Sequence, residues 1–545
     1  MDKTISFYKM LKQTAFEIPS YPCRYYEGKT ITYASFISLV EKAASSLARV
    51  GLKEEDRITL VAPNTPEAVA LFYAASKLGL SIHLLHPLTS QENILREFKD
   101  KNSKLLIVVS IFRNKYPLLI SSSIPRMALD PSASLCFIKR SLFAWKERKE
   151  LVAYKKDIER IPFGKSKRET KEVSYDTKKG RILLSSGGTT GESKSIVLSD
   201  YAFYSVIENG TEITDCTMEE VRKKHRSMLA CLPMFHGFGL TRGILTMLCF
   251  GGSIALLPSF RTKKVVHLLK KKKLNILIGV PAIYEALLKN KDFCGDKLKQ
   301  IKICFIGGDF IAPSLLERFN KRLAYAGSTG KLFEGYGLTE TVTVLSVNTR
   351  KNNRTGSIGK PLSNVKVKIL DPITHLEKKP GEKGERAVTG PVLRNGYFKQ
   401  EKSPFYSIDG EDYVLTGDIG YKDEDGYLYF VSRRKRRLKK KGRNVYPLAV
   451  EKRVSSILGI KECAFLGETY KGRDYLCLFV SLEKGRDEKK RKTEINDILK
   501  KTFNAYELPD FILVQDAFAH TNVGKVDYLI LSKRFHEFLI GRLGE

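Results

Sequence analysis

The sequence predicts an α/β protein: a large N-terminal domain of mostly parallel sheets covered by helices, with a small β subdomain, followed by a small α+β C-terminal domain. Three observations carry this reading. Strand-length apolar runs alternate with helix-length segments up to about residue 350, the pattern of parallel sheets with helices on their faces. From about 350 the strands crowd together and turns separate them. The chain, at 545 residues with 42% apolar and 10% aromatic content, is too long for one compact core and apolar enough to fold as two or more units.

The elements follow in order. Ser35 to Val50 places Phe36, Val40, Ala43, Ala44 and Leu47 on one helical face and ends at Gly51, and Arg57 to Ala62 is a short apolar strand. Thr65-Pro66 supplies an N-cap and a first-turn proline for a helix to about Leu78, stopped by Gly79, with Ser81 to Leu85 the next strand. Further strands are expected at Lys104 to Val109, Ile182 to Leu184, Met228 to Leu232, Ser253 to Leu257, Asn275 to Val280 and Ile301 to Ile306. The β subdomain, about 350–432, takes strands at Val365 to Leu370, Glu385 to Val388, Tyr413 to Leu415 and Tyr427 to Val431, punctuated by Pro380-Gly381 and Asp425-Gly426. The domain boundary is placed between 432 and 433. Beyond it, Glu462 to Leu466, Tyr475 to Val480 and Phe511 to Val514 are strands and Thr493 to Phe503 is a helix.

Composition narrows the function classes. The chain has no apolar run of the ~18 residues that a membrane-spanning helix needs, and its N-terminus lacks the order of a secretory signal, so a cytoplasmic location is expected. Nine cysteines without a Cys-x-x-Cys pair argue against a disulfide framework or zinc site and for core filling. The net charge of +34 would attract nucleic acid, anionic lipid or an acidic protein. Nine of the eleven residues from Arg433 to Arg443 are basic, with smaller clusters at Lys270 to Lys273 and Lys489 to Lys492. Lysines elsewhere are widely spread, which suits solvated faces.

One stretch points to phosphate. Ser185-Ser-Gly-Gly-Thr-Thr-Gly-Glu-Ser-Lys194 follows a strand; its glycines expose backbone N–H groups, its hydroxyls add donors, and Lys194 adds a mobile cation. Neither the Walker A spacing nor the dinucleotide Gly-x-Gly-x-x-Gly fingerprint fits. By itself such a loop is equally an unspecialised surface turn.

The loop has company, in order: Pro233-Met-Phe-His-Gly-Phe-Gly-Leu240, Gly307-Gly308-Asp309, Tyr336-Gly-Leu-Thr-Glu340, Thr416-Gly-Asp418, Arg433 with Gly442-Arg-Asn-Val-Tyr-Pro447, and Thr521-Asn-Val-Gly-Lys525. Together these motifs resemble the adenylate-forming superfamily of acyl-CoA synthetases, luciferases, aryl-acid ligases and peptide-synthetase adenylation domains. The resemblance spans Tyr26 to Lys525. It implies ATP-dependent activation of a carboxylic acid to an acyl-adenylate with release of pyrophosphate, then thioester formation with CoA or the phosphopantetheine of a carrier protein.

The resemblance also assigns residues. ATP would be held by Ser185, Ser186, Gly187, Gly188, Thr189, Thr190, Gly191 and Lys194, by Gly307, Gly308 and Asp309, by Gly335, Tyr336, Gly337 and Thr339, and by Asp418, Arg433 and Lys525. Tyr336 offers a flat face to adenine, with Gly335 and Gly337 letting the base approach the backbone; Asp418 can accept from both ribose hydroxyls, and Arg433 is a rigid donor fork. Glu340 is a hard oxygen ligand suited to Mg2+. Lys525, Glu340, Thr190 and His236 are the catalytic candidates, Lys525 riding on a mobile C-terminal domain (433–545) that turns against the large domain (1–432) about a hinge at Lys435 and Arg436. Gly442 would then face the thioester step.

The acid pocket would draw on His236, Gly237, Phe238, Val280 and Gly307. No aspartate follows the histidine motif, which argues against amino acids. His236-Gly-Phe-Gly-Leu240 and the small residues Gly251-Gly252 favour a fatty acid with room for its chain; the Ser186-to-Gly191 loop with Ser193 keeps an aryl acid as the alternative. No carrier-domain serine segment follows Lys525, so the acceptor, CoA or an acidic carrier protein, is expected in trans. Ser193, Ser432 and Arg436 depart from the family pattern and could slow domain rotation or thioester formation. A protein of another class, whose basic run simply binds a membrane surface or, less in keeping with the motifs, nucleic acid, is the rival reading; peripheral membrane contact is compatible with both.

Overall fold

The computed structural model describes residues 2–110, 119, 122–143, 159–160, 169–185, 195–214, 216–309, 311–393, 395–398, 405–434, 438–440, 443–483, 485, 487–520 and 526–544. Two large sheets dominate it. In the nine-stranded sheet, strands Lys331–Gly337, Ile303–Ile306, Ile276–Gly279, Ser227–Ala230, Ser253–Leu256 and Pro22–Tyr26 run parallel in that spatial order, and antiparallel strands finish both edges. In the eight-stranded sheet, Gly180–Ser185, Ser81–Leu85, Arg57–Val61, Leu105–Val109 and Arg126–Leu129 are parallel. The parallel strands are nearly continuous apolar runs because helices cover both of their faces.

Local chemistry explains the helices between these sheets. Thr65 accepts from the Ala68 N–H at 3.1 Å and Pro66 occupies the first turn, starting the helix Pro66–Lys77, all twelve of whose residues are buried. The predicted helix over 35–50 is the observed Tyr33–Arg49, capped by Thr32. One continuous apolar cluster joins these helices to both sheets.

The later chain is built differently. Lys366–Leu370, Gly384–Thr389, Glu411–Lys422, Phe405–Ile408 and Leu428–Arg433 form a five-stranded antiparallel sheet. The strand expected at Tyr413 to Leu415 is four times longer, because Glu411–Lys422 pairs with three neighbours along its length. Beyond Arg443, Ile460–Tyr470, Arg473–Leu482 and Phe511–Val514 form a three-stranded sheet with an apolar core on each face. Leu476, Leu478 and Val480 meet the helices Pro447–Ser455 and Glu488–Thr502 on one side; Cys477 and Phe479 meet Tyr528–Leu543 on the other. That last helix, with Leu531, Phe535 and Leu539 buried at every fourth position, is absent from the sequence expectations.

All nine cysteines are free: six are buried, Cys136 and Cys463 are half-buried, and Cys294 is exposed. Core filling accounts for most of them. Among the described residues no helix is long and apolar enough to cross a membrane.

Some motif glycines are fixed by the chain itself. A Cβ at Gly337 would overlap the Thr343 carbonyl oxygen, whereas one at Gly335 comes no closer than 3.3 Å, to Val347 Cγ2. Gly337→Ala is therefore expected to cost more than about 3 kcal/mol and Gly335→Ala about 1 kcal/mol, read as the drop in unfolding midpoint.

Two buried charged groups lie where Pro22–Tyr26 meets the helix Pro66–Lys77. The Arg24 guanidinium stacks 3.0 Å over the Phe36 ring, and the Glu67 carboxyl accepts from the Ser134 N–H at 2.7 Å. Burial pushes Glu67 up to about 7, against about 4.3 in an unfolded chain. Between those values the folded state holds a proton that the unfolded state has lost, so stability falls as pH rises across that window. Glu67→Gln, which keeps the acceptor without the charge, should gain on the wild type by on the order of 2 kcal/mol between pH about 4.5 and about 7.5 in parallel thermal melts.

Candidate functional site

In open parallel sheets a crevice opens outside the carboxyl ends of the strands, and the nine-stranded sheet has one of about 2690 Å³. Ile276–Gly279 delivers Val280 to it, Ile303–Ile306 delivers Gly307, Gly308 and Asp309, and Lys331–Gly337 delivers Gly335, Tyr336 and Gly337, followed by Thr339 and Glu340. His236, Gly237 and Phe238 line the same cleft, as do Asp418 and Arg433 from the antiparallel sheet. Its other wall comes from beyond Arg443, with Glu451, Lys452, Lys461 and His520. Ser185 sits apart, closing its strand opposite Ser195. Ser186 to Lys194, including Thr189, Thr190 and Gly191, lie outside the described residues, as do Lys435, Arg436, Gly442 and Lys525.

Asp418 is the most heavily engaged group. It is only 2% exposed, and the antiparallel register pairs it directly with Arg433, whose Nε lies 3.5 Å from Oδ1. The Tyr336 hydroxyl donates to Oδ2, and Arg386 Nη2 lies 3.8 Å from the same oxygen. Thr416 and Gly417 shape the turn before it: the Thr416 hydroxyl donates to the Arg386 carbonyl at 3.0 Å, and the Gly417 N–H donates to Glu385 at 3.0 Å. Gly417 takes a positive φ of 72° there, a conformation that favours glycine.

Tyr336 accordingly has two partners besides any nucleotide. Its hydroxyl is tied to Asp418, and the Arg386 guanidinium lies 4.1 Å from its ring centroid, a cation–π contact. Burial, with the Asp418 charge adding, holds the Tyr336 hydroxyl far above the usual phenol range, so it remains a donor. Arg386 belongs to none of the sequence motifs. The available signal is the pair Glu385-Arg386 inside an otherwise apolar strand: both are buried, and buried charges mark an ionic network. Glu385 in turn takes Arg434 at 2.8 Å.

Glu340 stands half-exposed on the short turn Thr339–Thr341, with Oε1 accepting from Tyr397 at 3.2 Å. A carboxylate at the mouth of a cleft fits Mg2+, which keeps several waters and takes one or two carboxylates besides phosphate oxygens. Glu334, one step before Gly335, faces Lys452 across the cleft; burial pushes Glu334 up to about 7 and lowers the Lys452 ammonium.

His236 is half-buried, its ring 5.1 Å from that of Phe235, at the entrance to a π-helix, Phe238–Leu245. The glycines around it do not leave room for a chain in the way the sequence suggests. A Cβ at Gly237 would overlap the Val342 carbonyl, so that glycine lets the histidine turn press against the turn after Glu340; one at Gly239 would overlap the Pro233 carbonyl, so that glycine lets the histidine turn close on itself. Gly251 and Gly252 pack against Arg222, Ile18, Val221 and Met247, away from the cleft lining. Their smallness serves close packing within the fold rather than substrate space.

The family model described as AMP-binding enzyme matches residues 11–398. A long-chain-fatty-acid–CoA ligase of Bacillus subtilis is 27% identical over 533 residues, covering 95% of this chain and 92% of that protein. A probable 4-coumarate–CoA ligase 3 of Dictyostelium discoideum is 30% identical over 423 residues, 76% of this chain and 73% of that protein. Among solved structures, ATP-bound MatB from Rhodopseudomonas palustris superposes with a TM-score of 0.82 at 21% identity, covering 98% of this chain and 99% of that one. The α/β architecture read from the sequence is thus the architecture of these structures over nearly the whole chain, and the chain belongs to the family of AMP-binding enzymes.

Proposed function

We propose that this enzyme activates a carboxylic acid with ATP and passes the acyl group to a thiol. The acid's carboxylate oxygen attacks the α-phosphorus, the bond to the β-phosphate oxygen breaks, and pyrophosphate leaves; the thiolate of CoA then attacks the acyl carbonyl and AMP leaves. The nucleophile is already an anion at neutral pH, so the first step needs alignment and charge neutralisation rather than a general base. The observation that carries this reading is the convergence of His236, Gly307, Tyr336, Glu340, Asp418 and Arg433 on one cleft in a chain similar to CoA ligases over most of its length.

In this reading the segment Ser185 to Lys194 holds the β- and γ-phosphates, Tyr336 and Gly307-Gly308-Asp309 border the adenine, and Asp418 with Arg433 addresses the ribose. Glu340 would hold Mg2+, which supplies neutralisation of phosphate charge when bound. Lys525 bridges the substrate carboxylate and the α-phosphate, carried on residues 433–545, which turn relative to 1–432 about Lys435 and Arg436 so that Gly442 faces the thiol in the second step. A fatty acid is favoured, by the similarity to a ligase named for long-chain fatty acids; several relatives named 4-coumarate–CoA ligases support an aryl acid as the second reading. CoA is the acceptor in preference to a carrier protein, since the relatives are named as CoA ligases.

The rival reading, a surface binder working through Arg433 to Arg443, is weakened by where those side chains go. Arg433 and Arg434 face Asp418 and Glu385. Lys440 binds Asp510 at 2.8 Å and the Leu508 carbonyl at 3.1 Å, and Arg443 lies 5.1 Å from the Tyr506 ring centroid. The basic members of the run whose side chains are described therefore each have a partner in the fold.

Exchange of labelled pyrophosphate into ATP, dependent on added carboxylic acid, tests the proposal. Lys525→Ala should lower that exchange about 10²–10³-fold, the cost of losing one preorganised contact to developing charge, without moving the thermal midpoint. Exchange that is absent across a panel of fatty and aryl acids would reject the activity.

A further inference from the structure

The cleft contains a cation that the reaction at the phosphates does not use. Arg242 lies on the π-helix Phe238–Leu245, is 7% exposed, and lines the cleft together with Gly210, Thr214, Thr246 and Ile278. Its Nε, Nη1 and Nη2 are buried, and among the described residues none of the three has a hydrogen-bond partner. Glu212 is the carboxylate that acts on it electrostatically. No ion pair links the two, and Glu212 Oε2 accepts instead from Asn209 Nδ2 at 3.1 Å and the Ser363 N–H at 3.3 Å.

Such an arrangement is costly without a ligand. Burial lowers the guanidinium to about 9, which still leaves it charged at neutral pH. A desolvated charge with open donors costs several kcal/mol unless a partner is supplied. Its neighbours in the lining, Gly210, Ile213, Thr214, Thr246 and Ile278, are apolar or weakly polar, and Arg242 follows His236 by six positions in the chain. A planar five-donor fork is suited to receiving a carboxylate in a bidentate manner.

We propose that Arg242 is a specificity-determining residue that receives a second carboxylate, at the far end of the acid substrate. The preferred acid then carries one carboxylate at the reacting end, near the ATP α-phosphorus, and another at the tail, held by Arg242. This rests on the acid-activation reading and, within its fatty-acid and aryl-acid alternatives, replaces the plain monoacid by one that bears a second, distal carboxylate. A purely alkyl or unsubstituted aryl tail would leave the guanidinium buried and unpaired, so the same contact that selects the diacid rejects the monoacid.

The test is acid-dependent pyrophosphate exchange by the full chain with two matched series: saturated monoacids against ω-dicarboxylic acids of equal chain length, and aryl monoacids against the same acids bearing a distal carboxylate. At the optimal length the wild type should favour the diacid by about tenfold or more in kcat/KM. Arg242→Met should lower diacid kcat/KM about 10²-fold, through the KM for the acid with the KM for ATP unchanged, and should improve the matched monoacid. Arg242→Lys, which retains the charge without the fork, should fall between and guards against misfolding of the methionine variant. Preference of the wild type for monoacids in both series, or a diacid-to-monoacid ratio unchanged in both variants, overturns the inference and leaves acid activation standing. Exchange with no acid of either series overturns both.

Discussion

The cleft depends on one carboxylate. Asp418 comes from the antiparallel sheet, yet its Oδ2 receives the hydroxyl of Tyr336, which ends a strand of the nine-stranded parallel sheet, while Arg386 and Arg433 stand 3.8 and 3.5 Å away. A carboxylate so buried is tolerated only because charge and hydrogen bonds answer it. The answer comes from two different sheets, so the same contacts that satisfy Asp418 also fix where the second sheet lies against the first. Within the antiparallel sheet, Glu385 is answered in turn by Arg434 at 2.8 Å, next in the chain to Arg433. The tilt of the Tyr336 ring is thereby fixed by the fold itself, the kind of preorganisation that charge-stabilising catalysis requires.

Around that corner the walls differ in character. The strand ends contribute backbone: a Cβ at Gly307 would come within 2.8 Å of the Gly335 carbonyl oxygen, so these glycines let neighbouring strand ends approach closely. The facing wall contributes charge, with Lys452 set against Glu334. Adenylation needs both kinds of surface in one place, and a chain that bends from a parallel sheet into a separate antiparallel one is a simple way to supply them.

Much of this is legible in the sequence, and particular residues explain what is not. Thr65-Pro66 announces its helix because an N-cap and a first-turn proline act locally. The parallel strands are legible because burial on both faces leaves an unbroken apolar run. The motifs, far apart in sequence, converge: His236, Gly307, Tyr336, Glu340, Asp418 and Arg433 all line one cleft. What depends on register is hidden. That Asp418 sits opposite Arg433, or that Gly337 is forced by the Thr343 carbonyl, follows from strand pairing rather than composition. Arg386 and Arg242 belong to no motif, and their meaning comes only from depth: an arginine in a sequence suggests solvent, whereas these two have almost none. The helix Tyr528–Leu543 carries a regular stripe of Leu531, Phe535 and Leu539 that periodicity could have found.

The placement of the cysteines makes the native fold chemically almost silent. Burial pushes the thiols of Cys231 and Cys249 up to about 12, while Cys294 stands in solvent. Since only a thiolate reacts with an alkylating reagent, modification at Cys294 proceeds at a surface rate and modification at Cys231, Cys249 or Cys304 waits for the interior to open. The chain thus carries its own clock for transient unfolding, with an internal standard on its surface and no foreign label required.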